Sequence, residues 1–119
     1  MKIAVPVWEG KVSPVFDTAT RLLVVQMEGR REKERFTTPL HEEEPSRRCL
    51  YLKNIGVDTL ICGAISRPFF EMLSAFGMEV IAWITGPQEK VIDAWMNGCL
   101  LREEFLMPGC SHDSLYGEG

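Results

Sequence analysis

Hydrophobic and polar positions change their period along this chain. Residues 2–8 (KIAVPVW) read as an apolar strand that tolerates Pro6 only near an end or an edge. Residues 21–28 (RLLVVQME) and 32–38 (EKERFTT) predict two further strands, joined through Glu28-Gly29-Arg30-Arg31, where Gly29 supplies the turn freedom. The third strand alternates charged and less polar positions, which suits a sheet edge, because charge there discourages unwanted pairing. Residues 39–45 (PLHEEEP) read as a loop. A helix follows from about Pro45, with Cys49, Leu52 and Ile55 near one face and Gly56 as its stop.

Strands and helices then alternate strictly. The continuous apolar run 58–65 (DTLICGAI) predicts a strand buried on both faces. Ser66 suits an N-cap and Pro68 a first helical turn. Phe69, Phe70, Leu73 and Phe76 form an apolar stripe that Gly77 ends. Residues 79–84 (EVIAWI) predict the next strand. Gly86-Pro87 opens a last helix with Val91, Ile92 and Trp95 inward, closed by Asn97-Gly98. The order β-β-β-α-β-α-β-α implies an α/β fold whose later strands are parallel, with right-handed crossovers. The early hairpin makes the sheet mixed. Residues 1–106 read as a single domain, and 107–119 (MPGCSHDSLYGEG) as a flexible tail.

One connection does not fit this simple scheme. Residues 10–19 (GKVSPVFDTA) are too long for a two-residue hairpin and too apolar for an idle loop. They read as a wall of something.

Composition narrows the function classes. The 119 residues suffice for one domain with a core. No apolar run approaches the ~18–20 residues that span a bilayer. The N-terminus runs straight into a strand pattern, without a signal-peptide pattern, so a cytoplasmic location is expected. The net charge of −4 argues against a nucleic-acid surface, and the basic cluster Arg30, Arg31, Lys33 and Arg35 is interleaved with Glu28, Glu32 and Glu34. The four cysteines form no C-x-x-C pair, which predicts free thiols. Cys49 and Cys62 suit the core, and Cys99, after Asn97-Gly98, suits a more accessible place. His41 belongs to a solvated acidic loop. The three tryptophans suit core or pocket walls, with at least one partly exposed.

Two stretches carry candidate chemistry. At Cys62-Gly63-Ala64-Ile65-Ser66 a parallel strand runs into a capped helix, whose free N–H groups and dipole favour an anion. A plainer reading of the same residues is close helix packing and a cap. In the tail, Cys110 and His112 could reach one soft metal, with Asp113 orienting the imidazole; flexible tails also carry such residues by chance. Nuclease chemistry needs several carboxylates around two metal ions. The first strand has none: Glu9 and Asp17 lie beyond its end, and Asp58 precedes its own strand. A P-loop pattern and a nucleophile with a partnered base are also missing, so the expectation is that the chain is not an enzyme.

Three segments, MKIAVPVWEGKVSPVFDTATRLLVV, GVDTLICGAISRPFFEMLSAFGMEVI and GPQEKVIDAWMNGCL, resemble the dinitrogenase iron-molybdenum cofactor family. The resemblance covers the chain to about residue 101. It implies a ribonuclease H-like fold, a mixed five-stranded sheet flanked by helices. It also implies binding or carriage of iron-molybdenum cofactor, its precursor or a related anionic metal-sulfur cluster. Partners would be the cluster or cluster-biosynthesis proteins, in a nitrogen-fixation setting, with no nucleic acid and no membrane. Ser13, Pro14, Val15 and Phe16 would then border the ligand, opposite Gly63, Ala64, Ile65 and Ser66. Ser13-Pro14 would fix the turn, and Val15 and Phe16 would line or close a pocket; Cys110 and His112 lie beyond the resemblance and stay candidate metal ligands on their own chemistry. Many relatives carry His-Phe-Gly after the Ser-Pro, where this chain has Val15-Phe16-Asp17. That histidine is absent, which favours an alternative: a non-catalytic regulatory or scaffolding module acting through protein contacts.

Overall fold

The computed structural model describes residues 1–100 and 103–107. The central strand is β1 (Lys2–Trp8), and the two-residue β2 (Lys11–Val12) turns back along its end. The hairpin β3 (Arg21–Glu28) and β4 (Arg31–Pro39) lies to one side. Helix α1 (Pro45–Asn54), β5 (Thr59–Ile61), α2 (Arg67–Ala75), β6 (Glu79–Ile81) and α3 (Gln88–Met96) follow. The sheet order is β4-β3-β1-β5-β6, with β2 paired to β1. Strands β1, β5 and β6 are parallel, whereas β1–β3 and β3–β4 are antiparallel.

The alternation of side chains along a strand divides the core between the two faces. Ala4, Leu22, Val24 and Leu60 meet Cys49 and Leu52 of α1 and Phe69 and Leu73 of α2. Ile3, Val5, Leu23, Val25 and Ile61 meet Val91, Ile92 and Ala94 of α3. Each fully buried aliphatic side chain contributes about 1.5–3 kcal/mol relative to exposure, so these two clusters carry the fold. The charged strand β4 lies at the edge, and seven of its nine residues, Arg31–Thr37, are exposed in an unbroken run.

Among the described residues the sheet has six strands rather than five. The sixth is β2, inside the anomalous connection, and two residues are too few to show an alternating pattern. Strands β5 and β6 end earlier than the apolar runs 58–65 and 79–84 suggest. Beyond Ile61 and Ile81 the pairing turns irregular: Trp83 N–H bonds to Gly63 O and Ile84 N–H to Cys62 O, with Trp83 at φ 65°. The proposed tail 107–119, with Cys110 and His112, lies outside the described residues except for Met107.

Candidate functional site

The turn after β1 uses two left-handed residues, Glu9 (φ 50°) and Gly10 (φ 77°). Two positive φ values match the right-handed strand twist, so the chain reverses tightly into β2. Ser13 N–H then bonds to Pro6 O at 2.8 Å and Val12 N–H to Gly86 O at 3.0 Å. Next, Pro14–Phe16 lies along Gly63-Ala64: Ala64 N–H donates to Pro14 O and Phe16 N–H to Ala64 O, both at 2.8 Å. A Cβ added at Gly63 would sit 2.6 Å from the carbonyl oxygens of both Ser13 and Pro14. Position 63 is therefore glycine because loop backbone lies directly on it.

The two walls expected to face each other across a pocket are bonded to one another. Phe16 is fully buried, edge-on to Phe69 with ring centroids 5.3 Å apart. It anchors the loop in the core rather than closing a pocket. Ser13, Gly63 and Ile65 are buried, Ala64 and Ser66 half-buried, and Pro14 and Val15 exposed on the outer side.

Ser66 occupies the N-cap position of α2, but its side chain makes no capping bond. Its backbone N–H donates instead to Asp17 Oδ1 at 3.1 Å. A carboxylate from the loop thus stands where the helix start favours an anion. Sequence reading missed this pairing, because Asp17 and Ser66 are far apart in the chain and no local pattern joins them. It also missed Arg48, which is 1% exposed and donates to the carbonyls of Phe16 and Ala19. A signal existed: Arg48 shares the helical spacing of Leu52 and Ile55, whereas Arg47 beside it does not.

Open space lies on the other side of the loop, around Trp8. A cleft of about 360 Å³ is lined by Trp8, Ser13, Pro14, Val15, Thr18 and Thr20 among others. A second, of about 480 Å³, is lined by Trp8, Glu9, Thr20, Arg21, Thr37 and Gln88 among others. Trp8 belongs to both clefts and is 54% exposed, with the Lys11 ammonium 6.0 Å from its ring. Ser13, Pro14 and Val15 are thus brought together on one cleft wall, at the carboxyl end of the central strand. Ligands in open α/β sheets collect at such ends.

The two buried thiols are poor metal ligands. Cys49 and Cys62 are buried, and burial pushes the Cys49 thiol up to about 11 and the Cys62 thiol still higher. Thiolates, not thiols, bind metal. Cys99 is half-buried, with its S–H 3.5 Å from Asn97 O, and His41 is exposed. Among the described residues no group of three or more His, Cys, Asp or Glu side chains could hold a metal ion. The two clefts offer the Trp8 ring and threonine hydroxyls, with Arg21 and Glu9 together on the wall of the second.

Comparison with known proteins gives three findings. The family model described as dinitrogenase iron-molybdenum cofactor matches residues 1–98. No curated protein matches. Solved structures share the fold. The apo form of the orange protein from Desulfovibrio gigas has TM-score 0.70 and 20% identity, over 88% of this chain and 94% of that one. The crystal structure of a candidate dinitrogenase from Methanocaldococcus jannaschii has TM-score 0.66 and 23% identity, over 84% and 91% of the two chains. A candidate NifB protein from Thermotoga has TM-score 0.66 and 24% identity, over 82% and 89%.

Proposed function

The chain belongs to the dinitrogenase iron-molybdenum cofactor family, and from that premise we propose that it binds or carries iron-molybdenum cofactor, its precursor or a related anionic metal-sulfur cluster. The observation that carries this reading is the Trp8 cleft: its walls fall inside the matched span 1–98, at the end of the central parallel strand. Ser13, Pro14 and Val15 form the contact wall, while Phe16, Gly63, Ala64, Ile65 and Ser66 support it from behind. Trp8 gives an apolar face shared with the second cleft, where Arg21 stands beside Glu9, and the Lys11 ammonium lies 6.0 Å from the Trp8 ring. The cluster is cargo and arrives with its own sulfur ligands. The tail, on this reading, is a separate segment whose Cys110 and His112 add ligands once the cargo is seated.

The strand order, with three antiparallel strands leading into two parallel ones, supports a ribonuclease H-like classification. No acid lies on β1, which speaks against nuclease chemistry, and the protein is read as a cytoplasmic, non-catalytic carrier without a nucleic-acid partner. Among the described residues no helix is long and apolar enough to cross a membrane. A second reading, a regulatory or scaffolding module, is favoured by Val15 in place of a ligating histidine and by Asp17 already holding the start of α2.

Anaerobic reconstitution of the full chain with iron, molybdate, copper and sulfide separates the two readings. The carrier retains metal stoichiometrically and gains visible absorption. The module stays colourless and retains none. Repeating the experiment on a chain ending at Met107 tests the tail, where equal metal content would remove its ligand role.

A further inference from the structure

Arg48 projects from the inner face of α1 into the core and bonds only to backbone carbonyls. Nε donates to Glu42 O at 2.7 Å, Nη1 to Phe16 O and Ala19 O at 2.9 Å each, and Nη2 to Leu40 O at 3.4 Å. Its guanidinium also lies 5.5 Å from the centre of the Phe16 ring. Two of these carbonyls bracket the one-turn 3-10 helix Phe16–Thr18, and the other two belong to the connection before α1. Burial works against the charge, and the carboxylates of Asp17 and Glu43 offset that through space. A buried cation without a bonded carboxylate is costly to keep, and nothing in the hydrophobic core requires one here.

The turn that Arg48 grips is the back of the Trp8 cleft, since Thr18, Ala19 and Thr20 line it. A trans peptide is planar, so drawing the Ala19 carbonyl inward turns the Thr20 N–H the other way. That direction leads away from Arg48, on the residue that lines the cleft. We propose that Arg48 is the positioning residue of the Trp8 cleft: its buried guanidinium holds the Phe16–Ala19 turn in the shape that receives an anionic ligand. The ligand part of this statement rests on the carrier reading, while the positioning part stands alone. Lysine cannot replace it, because a compact ammonium lacks the planar fork that spans carbonyls from two segments.

Amide hydrogen exchange, followed by NMR on the ligand-free full chain, tests the positioning part. In Arg48→Met and Arg48→Lys, exchange at the Phe16 and Ala19 amides, which are bonded to Ala64 O and Phe16 O, should accelerate by about tenfold beyond any change at Leu22–Val25. Equal acceleration at both segments, or none, would reduce Arg48 to a general stabiliser and overturn the proposal. The parent offers a check that needs no variant: the Arg48 Nε–H and Nη–H protons should exchange far more slowly than those of exposed Arg30. Guanidinium protons exchanging at the same rate would also overturn it. In the reconstitution above, both variants should take up less metal than the parent, by about tenfold or more. A parent that takes up no metal defeats the carrier reading and leaves the exchange result to decide Arg48. Variants loading as well as the parent would remove the ligand role.

Discussion

Helices α1 and α2 both begin with a proline in the first turn, Pro45 and Pro68, yet their starts are satisfied in opposite ways. The start of α1 is local. Glu44 accepts from Ser46 N–H at 3.2 Å and Arg47 N–H at 3.0 Å, and the Ser46 hydroxyl donates to it at 2.6 Å. Those bonds, that of the Ser46 hydroxyl first, hold the Glu44 carboxyl below its ordinary range. The start of α2 is tertiary: its carboxylate is Asp17, 49 residues earlier, on the loop that backs the Trp8 cleft. The first arrangement makes a helix. The second ties a helix to a loop, and in doing so takes up the anion position that an open helix start would offer. On the proposed carrier reading, the ligand sits on the outer side of the loop, beside Trp8.

Substitutions can break this contrast, in descending order of effect. Gly63→Ala drives a methyl group into the Ser13 and Pro14 carbonyls and should cost about 2–3 kcal/mol, as overpacking against backbone does, measured by urea unfolding. A neutral result would mean that the loop does not rest on Gly63. Asp17→Ala leaves the half-buried Ser66 N–H without its charged acceptor and should cost roughly 2 kcal/mol. It should also open the helix start, so that inorganic phosphate raises its Tm more than the parent's. An unchanged response to phosphate would show that Asp17 was not filling that position.

Glu44→Ala should lower stability less than Asp17→Ala and leave the cleft loop untouched. Its pH dependence has a definite sign. The folded carboxyl titrates below its unfolded value, so its contribution is full above the ordinary carboxylate range and disappears as pH falls through the lowered folded value. The parent and Glu44→Ala should accordingly converge in acid, and a stability gap that persists there would rule out the cap. Ser66→Ala should change stability by no more than about 0.5 kcal/mol, because its hydroxyl caps nothing. A loss near 1 kcal/mol, normal for a working serine cap, would restore the local reading of α2.

The same contrast explains what could be read from the residues alone. The three α-helices and the existence of the five longer strands follow from period and punctuation: Leu52 and Cys49 mark the inner face of α1, Phe69 and Leu73 that of α2, and the charges of β4 mark its edge. Those signals are local. The strangeness of GKVSPVFDTA was also visible, as an apolar pair in a connection. What Val15 and Phe16 do was not, because one points out and the other into the core, and only the parallel bridge from Val15 to Ala64 decides which. Gly63 was legible as a close approach, but not what approaches it. Ser66 had the residue type of a cap, and the capping group came from Asp17. Features that depend on two distant segments leave no mark in either one.

The most direct test of the cleft as the docking place is NMR shift mapping during anaerobic reconstitution. The account predicts that the Trp8 indole N–H and the amides of Ser13, Val15, Thr18 and Thr20 shift or broaden first, while those of Arg67, Phe69 and Phe70 hold. Changes centred on Ser66 and Arg67, with Trp8 unmoved, would place the ligand at the start of α2 and contradict it.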